Sequence, residues 1–277
     1  MSVDGGDPFA LRGADSARAM LLVTLGEFAY PHDRPVSNTT LVGALSLLGF
    51  EAPAIGQAIR RSATTGLLQA QRSGRRVAWR LTDQGRELLR SGGERVFSFT
   101  GVARDWDERW LMVTVSVPER DKRVRHQLRR RLEWLGLGTP SAALWISPHT
   151  SCADEVRRVL VDLDLERRAI SSVGPFGPVG GEQAMVDAAW DLGGLASEYE
   201  AFICSYERLE PATPQDAFRG RVTMTQAWRR FPFVDPGLPR RFLPVRWPGE
   251  RAAALVAHKR ELWGAPSREF WEQLDRA

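Results

Sequence analysis

Residues 51–82 read EAPAIGQAIRRSATTGLLQAQRSGRRVAWRLT. Glu51-Ala52-Pro53 opens a helix, because the missing N–H of proline costs little in a first turn. Over residues 54–65, Ile55, Ala58, Ile59 and Ser62 fall on one helical face. Gln57, Arg60, Arg61 and Thr64 fall on the other. Gly66-Leu67-Leu68 ends the helix and begins a strand. Residues 67–81 then read as a hairpin turning at Ser73-Gly74, and residues 82–89 as a short capped helix. No acidic residue stands between Ala52 and Thr82, whereas Arg60, Arg61, Arg72, Arg75, Arg76 and Arg80 do.

Upstream, residues 1–15 are acidic and glycine-rich and read as a loose tail. Residues 16–30 read as a helix whose apolar surface comes from Ala17, Met20, Leu21, Val23, Leu25 and Phe28; Pro31 and Pro35 end it. Ser37-Asn38-Thr39-Thr40 supplies N-cap residue types, residues 41–48 follow as a second helix, and Gly49 stops it. Helix, helix, helix and hairpin predict a winged helix-turn-helix over residues 16–95. Such a domain puts the third helix in the major groove, where Gln57 reaches adenine and Arg60 or Arg61 reaches guanine or phosphate, with Thr64 on the same face. Its wing lays Arg72, Arg75 and Arg76 along phosphates or into the minor groove. The competing reading is a basic solvated face on a winged helix that docks protein.

Residues 104–180 alternate strand and helix. Strands are predicted at 110–117, 142–147 and 168–173, with helices at 121–135 and 153–163, an order that suggests a ferredoxin-like domain. The helix from Asp121 buries Val124, Leu128, Leu132 and Leu135. Its arginines form either a second nucleic-acid patch or an ordinary solvated face. The glycine- and proline-rich stretch 174–181 reads as a linker. Residues 182–277 read as a helical domain, with helices at 182–206, 218–230, 249–262 and 267–274. A proline-rich connector at 231–239 breaks regular helix. The aromatic residues concentrated there pack a core or line an apolar pocket. The expected fold class is therefore α+β.

Composition narrows the function classes. The chain has 277 residues, 43% of them hydrophobic and 26% charged, which excludes a wholly disordered protein. Its net charge is +4, and Lys122 and Lys259 are its only lysines. Arginine suits bidentate contact with phosphate and guanine. Cys152 and Cys204 make no disulfide framework, which fits a reduced, cytoplasmic setting. His32, His126, His149 and His258 lack metal-site spacing, so no metal centre is expected. No GxSxG, P-loop or GxGxxG occurs, and no catalytic constellation emerges. Residues 1–15 do not read as a secretory signal, and no run of about 20 apolar residues occurs, so neither a signal nor a membrane span is expected.

Several stretches carry a family resemblance. They are Ser16-Ala17-Arg18-Ala19-Met20-Leu21-Leu22-Val23-Thr24-Leu25, Ala58-Ile59-Arg60-Arg61 through Gly66-Leu67-Leu68, and Gly74-Arg75-Arg76-Val77-Ala78-Trp79-Arg80-Leu81-Thr82. Trp106-Asp107-Glu108-Arg109-Trp110 follows, and then residues 228–244, WRRFPFVDPGLPRRFLP. In this order they resemble the PaaX family of bacterial transcriptional regulators, which repress phenylacetate-degradation genes. The resemblance covers about residues 16–275. It implies a homodimeric repressor with a DNA-binding first domain for double-stranded operator DNA, a middle domain with the Cas2-like fold, and a helical family-specific domain at 182–277. It also implies release from the operator by phenylacetyl-CoA or another acyl-CoA thioester. Members with other effectors and pathways are the alternative. Cas2 nucleases are similar in carrying an acidic residue at the end of the first strand. Here Val115-Ser116-Val117 stands there, with Asp121 only later, which sets the metal-dependent nuclease reading aside.

A CoA thioester calls for arginines beside an aromatic-lined cavity. The densest such combination is Trp228, Arg229, Arg230, Phe231, Phe233, Arg240, Arg241 and Trp247, the candidate effector-binding residues. The competing reading has these aromatics locking the helical domain and the arginines as surface charges.

Overall fold

Ser16 accepts the N–H of Ala19 at 3.2 Å and so caps helix α1 (Ala17–Thr24), whose buried side includes Met20, Leu21, Leu22 and Val23. The expected regular helix over 16–30 ends early. After Thr24 the backbone widens into a π turn over Leu25–Ala29, then tightens into a 3-10 turn over Tyr30–His32. The extra residue in the wide turn brings Leu25, Glu27, Phe28 and Ala29 to the buried side together. In this computed structural model residues 16–73, 76–102 and 106–276 are described. The expected tail over 1–15, Gly74 of the expected turn, and Arg75 lie outside the described residues.

Ser37 caps helix α2 (Asn38–Leu47) by accepting the N–H of Thr40 at 2.9 Å. Gly49, at φ 91°, makes the left-handed turn into helix α3 (Ala52–Thr64). In α3, Ile55, Ala58, Ile59 and Ser62 are buried, the face that the apolar spacing predicts. A short strand β1 (Val36–Ser37) joins β2 (Leu68–Ser73) and β3 (Arg76–Leu81) in an antiparallel sheet of order β1-β3-β2. Helix α4 (Asp83–Ser98) runs well past the expected 82–89. Arg90 pairs with Glu87 at 2.7 Å and with Glu94 at 2.8 Å, and these i,i+3 and i,i+4 pairs carry the helix through Gly92-Gly93.

The chain forms two compact units. The first comprises residues up to 98 together with 204–230 and 254–277; the second comprises 99–203 and 231–253. In the first unit, α9 (Pro214–Trp228) and α12 (Gly264–Arg276) complete the core around α1 and α2. Thr213 caps α9 by accepting the N–H of Asp216, so this helix starts earlier than the expected 218. Phe28 packs against Phe218 at 4.9 Å and against Trp271 at 5.4 Å between ring centroids.

In the second unit, β4 (Trp110–Val115), β5 (Gly138–Ser141), β6 (Leu144–Ser147) and β7 (Ala169–Gly174) form an antiparallel sheet of order β5-β6-β4-β7. Strand β5 has no counterpart among the predicted strands; Gly138 and Pro140 are poor strand formers, but at a sheet edge proline is tolerated. Helices α5 (Lys122–Trp134) and α6 (Ala153–Asp162) pack on the sheet through Leu128, Leu132, Val156 and Leu160. The expected helix 182–206 is two helices, α7 (Glu182–Ala189) and α8 (Leu192–Tyr206). Trp190 between them is extended, at φ −138° and ψ 139°, and the Asp191 carboxylate takes up the Gly194 N–H at 2.8 Å. The connector at 231–239 is not wholly irregular either. Phe231–Val234 forms one helical turn, α10, with Pro232 second in it, where no N–H is missed. A 3-10 turn at Arg240–Phe242 and helix α11 (Gly249–Leu262) follow. The fold class is α+β. Among the described residues no helix is long and apolar enough to cross a membrane.

Asp235, only 5% exposed, accepts the Tyr199 hydroxyl at 2.7 Å and the Gly237 N–H at 2.7 Å. Burial pushes its carboxyl up from 3.8 to about 6, against the pull of those two donors. A raised folded-state value favours the protonated folded chain. This contribution is therefore complete below about pH 3.8 and lost as pH rises through about 6. Asp235→Asn is expected to remove that dependence. Urea titrations between pH 4 and 7 should show the unmodified protein losing about 3 kcal/mol relative to the variant.

Candidate nucleic-acid interface

Helix α3 presents Gln57, Arg60, Arg61 and Thr64 to solvent from the side opposite its buried residues. Gly56 leaves room for the Arg60 guanidinium to fold back along the helix; a Cβ there would lie 3.2 Å from Arg60 Nη1. Thr64 donates its hydroxyl to the Arg60 carbonyl at 3.0 Å, which ties it to the helix. Among the described residues neither Arg60 nor Arg61 joins an ion pair. Their charge is therefore available to an outside anion.

Arg72 lies exposed on β2 and pairs in register with Val77 on β3. Arg76 is described by its backbone alone, as the start of β3. Arg80 differs from the other arginines of its stretch. Asp33, outside the acid-free interval, binds Arg80 at 3.0 Å and Arg86 at 2.6 Å. Among the described side chains, the basic residues of 52–82 that no carboxylate engages are Arg60 and Arg61 on α3 and Arg72 on β2.

The candidate effector residues divide between the units. Trp228, Arg229 and Arg230 belong to the first. The Trp228 ring is buried there and donates its indole N–H to the Val96 carbonyl at 3.0 Å. Phe233, Arg240, Arg241 and Trp247 belong to the second unit. Phe233 stacks on Trp134, with centroids 4.0 Å apart. Trp247 donates to the Gly101 carbonyl at 2.8 Å and meets Tyr199 edge-on. Arg241 lies over Trp106 at 4.5 Å and Phe242 at 4.7 Å, and pairs with Glu182 at 2.9 Å and Glu108 at 3.4 Å. Arg240 is the open one: its side chain is 78% exposed, with Glu250 at 3.4 Å.

A groove of about 690 Å³ lies in the second unit, lined among others by Trp190, Phe242, Pro244, Val245, Gln183 and Asp187. Its volume falls in the range of small-molecule sites. No motif in the sequence marks it. The break between α7 and α8 that sets the half-buried Trp190 at the groove falls in what reads as continuous helix. Among the described residues no cluster of three His, Cys, Asp or Glu side chains is arranged to hold a metal.

Comparison with known proteins gives three family-model matches. Residues 16–85 match a PaaX-like protein model, 103–186 the PaaX protein central Cas2-like domain, and 190–273 the PaaX-like protein C-terminal domain. The transcriptional repressor PaaX of Escherichia coli strain K12 is 28% identical over 239 residues, spanning 78% of this chain and 70% of that protein. A solved structure, an uncharacterized protein from Mycobacterium tuberculosis, superposes with a TM-score of 0.65 at 20% identity, covering 93% of this chain and 99% of that one. That last likeness concerns the fold alone. Matched in succession by three PaaX models, this chain belongs to the PaaX family of transcriptional regulators.

Proposed function

We propose that the protein is a sequence-specific DNA-binding repressor, with residues 16–95 acting as a winged helix-turn-helix. In this reading α3 is the recognition helix and the β2–β3 hairpin the wing. The observation that carries it is the outward face of α3, where Gln57, Arg60, Arg61 and Thr64 stand together and neither Arg60 nor Arg61 has an ion pair among the described residues. Gln57 pairs with adenine, Arg60 or Arg61 with guanine or phosphate, and Arg72, Arg75 and Arg76 with the backbone or minor groove. One such helix reads too few base pairs for genomic specificity, so the protein acts as a homodimer on half-sites about one helical turn apart, or a multiple of it. Residues 104–180 are read as a ferredoxin-like domain and 182–277 as the helical family domain. The protein works in the cytoplasm.

The regulated genes are those of aromatic catabolism of the phenylacetate type, and the effector is phenylacetyl-CoA or a related acyl-CoA. The effector must bind the state that does not bind DNA more tightly, because equal affinity shifts nothing. Arg240, exposed next to Arg241 and two residues before the groove-lining Phe242, suits a CoA phosphate. The carboxylates of Asp187 and Asp191 line the groove itself, so it suits the uncharged acyl part rather than the phosphates. Arg229→Ala with Arg240→Ala is expected to leave DNA binding intact and to weaken phenylacetyl-CoA binding by roughly ten-fold or more, the scale of a lost charged hydrogen bond. Calorimetry and effector-dependent release in mobility shifts read both. Unchanged affinity in the double variant removes these residues from the site.

A further inference from the structure

Arg18 stands in the first turn of α1, but its guanidinium serves α3. Its Nη2 donates to Thr65 Oγ1 at 2.9 Å, just beyond the last residue of α3. The Thr65 hydroxyl donates in turn to the Arg61 carbonyl at 3.0 Å. Arg18 is thereby held against the same last turn that carries Arg61. Its Nε is buried with no hydrogen-bond partner among the described residues. Partial burial and the positive charge of Arg61 together hold the Arg18 guanidinium below the ordinary arginine value.

The electrostatics are unbalanced. The C-terminal end of α3 offers roughly half a negative charge. The Arg18 guanidinium stands beside it, near enough to Arg61 for the two charges to repel, and no carboxylate joins them among the described residues. An outside anion completes the arrangement. Two arginine forks and a rotatable hydroxyl match the tetrahedral oxygens of a phosphodiester.

We propose that Arg18, Arg61 and Thr65 form a clamp for one DNA backbone phosphate at the end of α3. The clamp sets the register of the protein on the duplex, while Gln57 and Arg60 face the bases. It rests on the reading of α3 as the recognition helix and adds Arg18 and Thr65 to the contacts.

A phosphate contact has a signature that a purely structural staple lacks. Neutralising one phosphate contributes about 0.9 to the slope of log affinity against log salt, whatever the base sequence. Two full-length variants separate the roles. Arg18→Gln keeps an N–H donor for Thr65 and removes the charge. Thr65→Asp gives Arg18 a carboxylate, which a staple would tolerate or prefer. Both are expected to lower the salt slope, by at most about 0.9 because Arg61 stays on the same phosphate, and to weaken operator and unrelated duplexes by the same factor. Arg18→Lys should keep the slope. Thr65→Asp should also keep its thermal midpoint, so it decides the matter even if Arg18→Gln folds poorly. Unchanged slopes in variants that bind both duplexes overturn the clamp and leave the recognition helix standing. Failure of the unmodified protein to bind any duplex overturns both.

Discussion

Replacing Arg60 and Arg61 together by alanine should remove specific operator binding while leaving the fold intact. An arginine that grips a guanine contributes about 1–3 kcal/mol and a charged contact to a phosphate about 1.5–3 kcal/mol, so the pair together amounts to at least roughly 30-fold in affinity. Both side chains are exposed and form no ion pair among the described residues, so little stability leaves with them. Arg80→Ala is the internal control. Its charge is already engaged by Asp33, and its loss should change operator affinity far less. Fluorescence anisotropy on a labelled operator, with thermal melts beside it, distinguishes the two. Full affinity in the double variant, with an unaltered melt, would sink the assignment of α3.

The largest loss of stability is expected from Glu27→Ala. The Glu27 side chain is 3% exposed and is gripped by Arg221 at 2.7 Å and Arg260 at 3.1 Å, with the Thr225 hydroxyl donating to it at 2.9 Å. Burial alone would raise the carboxyl, but Arg260 and Arg221 overcome it and hold the group below the ordinary value. Truncation leaves two guanidiniums without their carboxylate, one of them only 11% exposed. Breaking such a buried pair costs about 3–5 kcal/mol, or roughly 10 °C of thermal midpoint in a chain this size. The pH sign is opposite to that of Asp235. The Glu27 contribution is complete above the unfolded value near 4.5 and is lost as pH falls through the lowered folded value. A melt of Glu27→Ala within a degree or two of the unmodified protein would show that the cluster carries no net stability.

The two faces of α3 were legible because a helix side is a local pattern. Ile55, Ala58, Ile59 and Ser62 recur at helical spacing, and the polar residues between them had to face outward. The apolar helices flanking the Pro-rich connector were legible for the same reason. What stayed hidden was set by contacts distant along the chain. Nothing near Glu27 announces Arg221 or Arg260, and a π turn has the same local composition as a regular helix. Asp33 lies outside the acid-free interval, so its hold on Arg80 could not be counted. Strand β5 was missed because Gly138 and Pro140 are poor strand formers, and its edge pairing to β6 overrides that preference. The role of Arg18 was hidden because its partner, Thr65, lies across the domain on another helix. For the effector residues the sequence showed an arginine–aromatic cluster in one stretch. The aromatic rings Trp228, Phe233 and Trp247 have packing partners of their own, and Arg240 is the most open cation named there.

The central claim, that this chain recognises a DNA sequence through α3, is tested most directly by nuclease footprinting on the region upstream of its own gene. The unmodified protein and the Arg60→Ala, Arg61→Ala variant are compared across a range of salt concentrations. The expected result is a protected site with two half-sites about one helical turn apart, or a multiple of it, weakening as salt rises and absent in the variant. A folded protein that protects no site at any salt concentration, or a variant that protects the same site equally well, would contradict it.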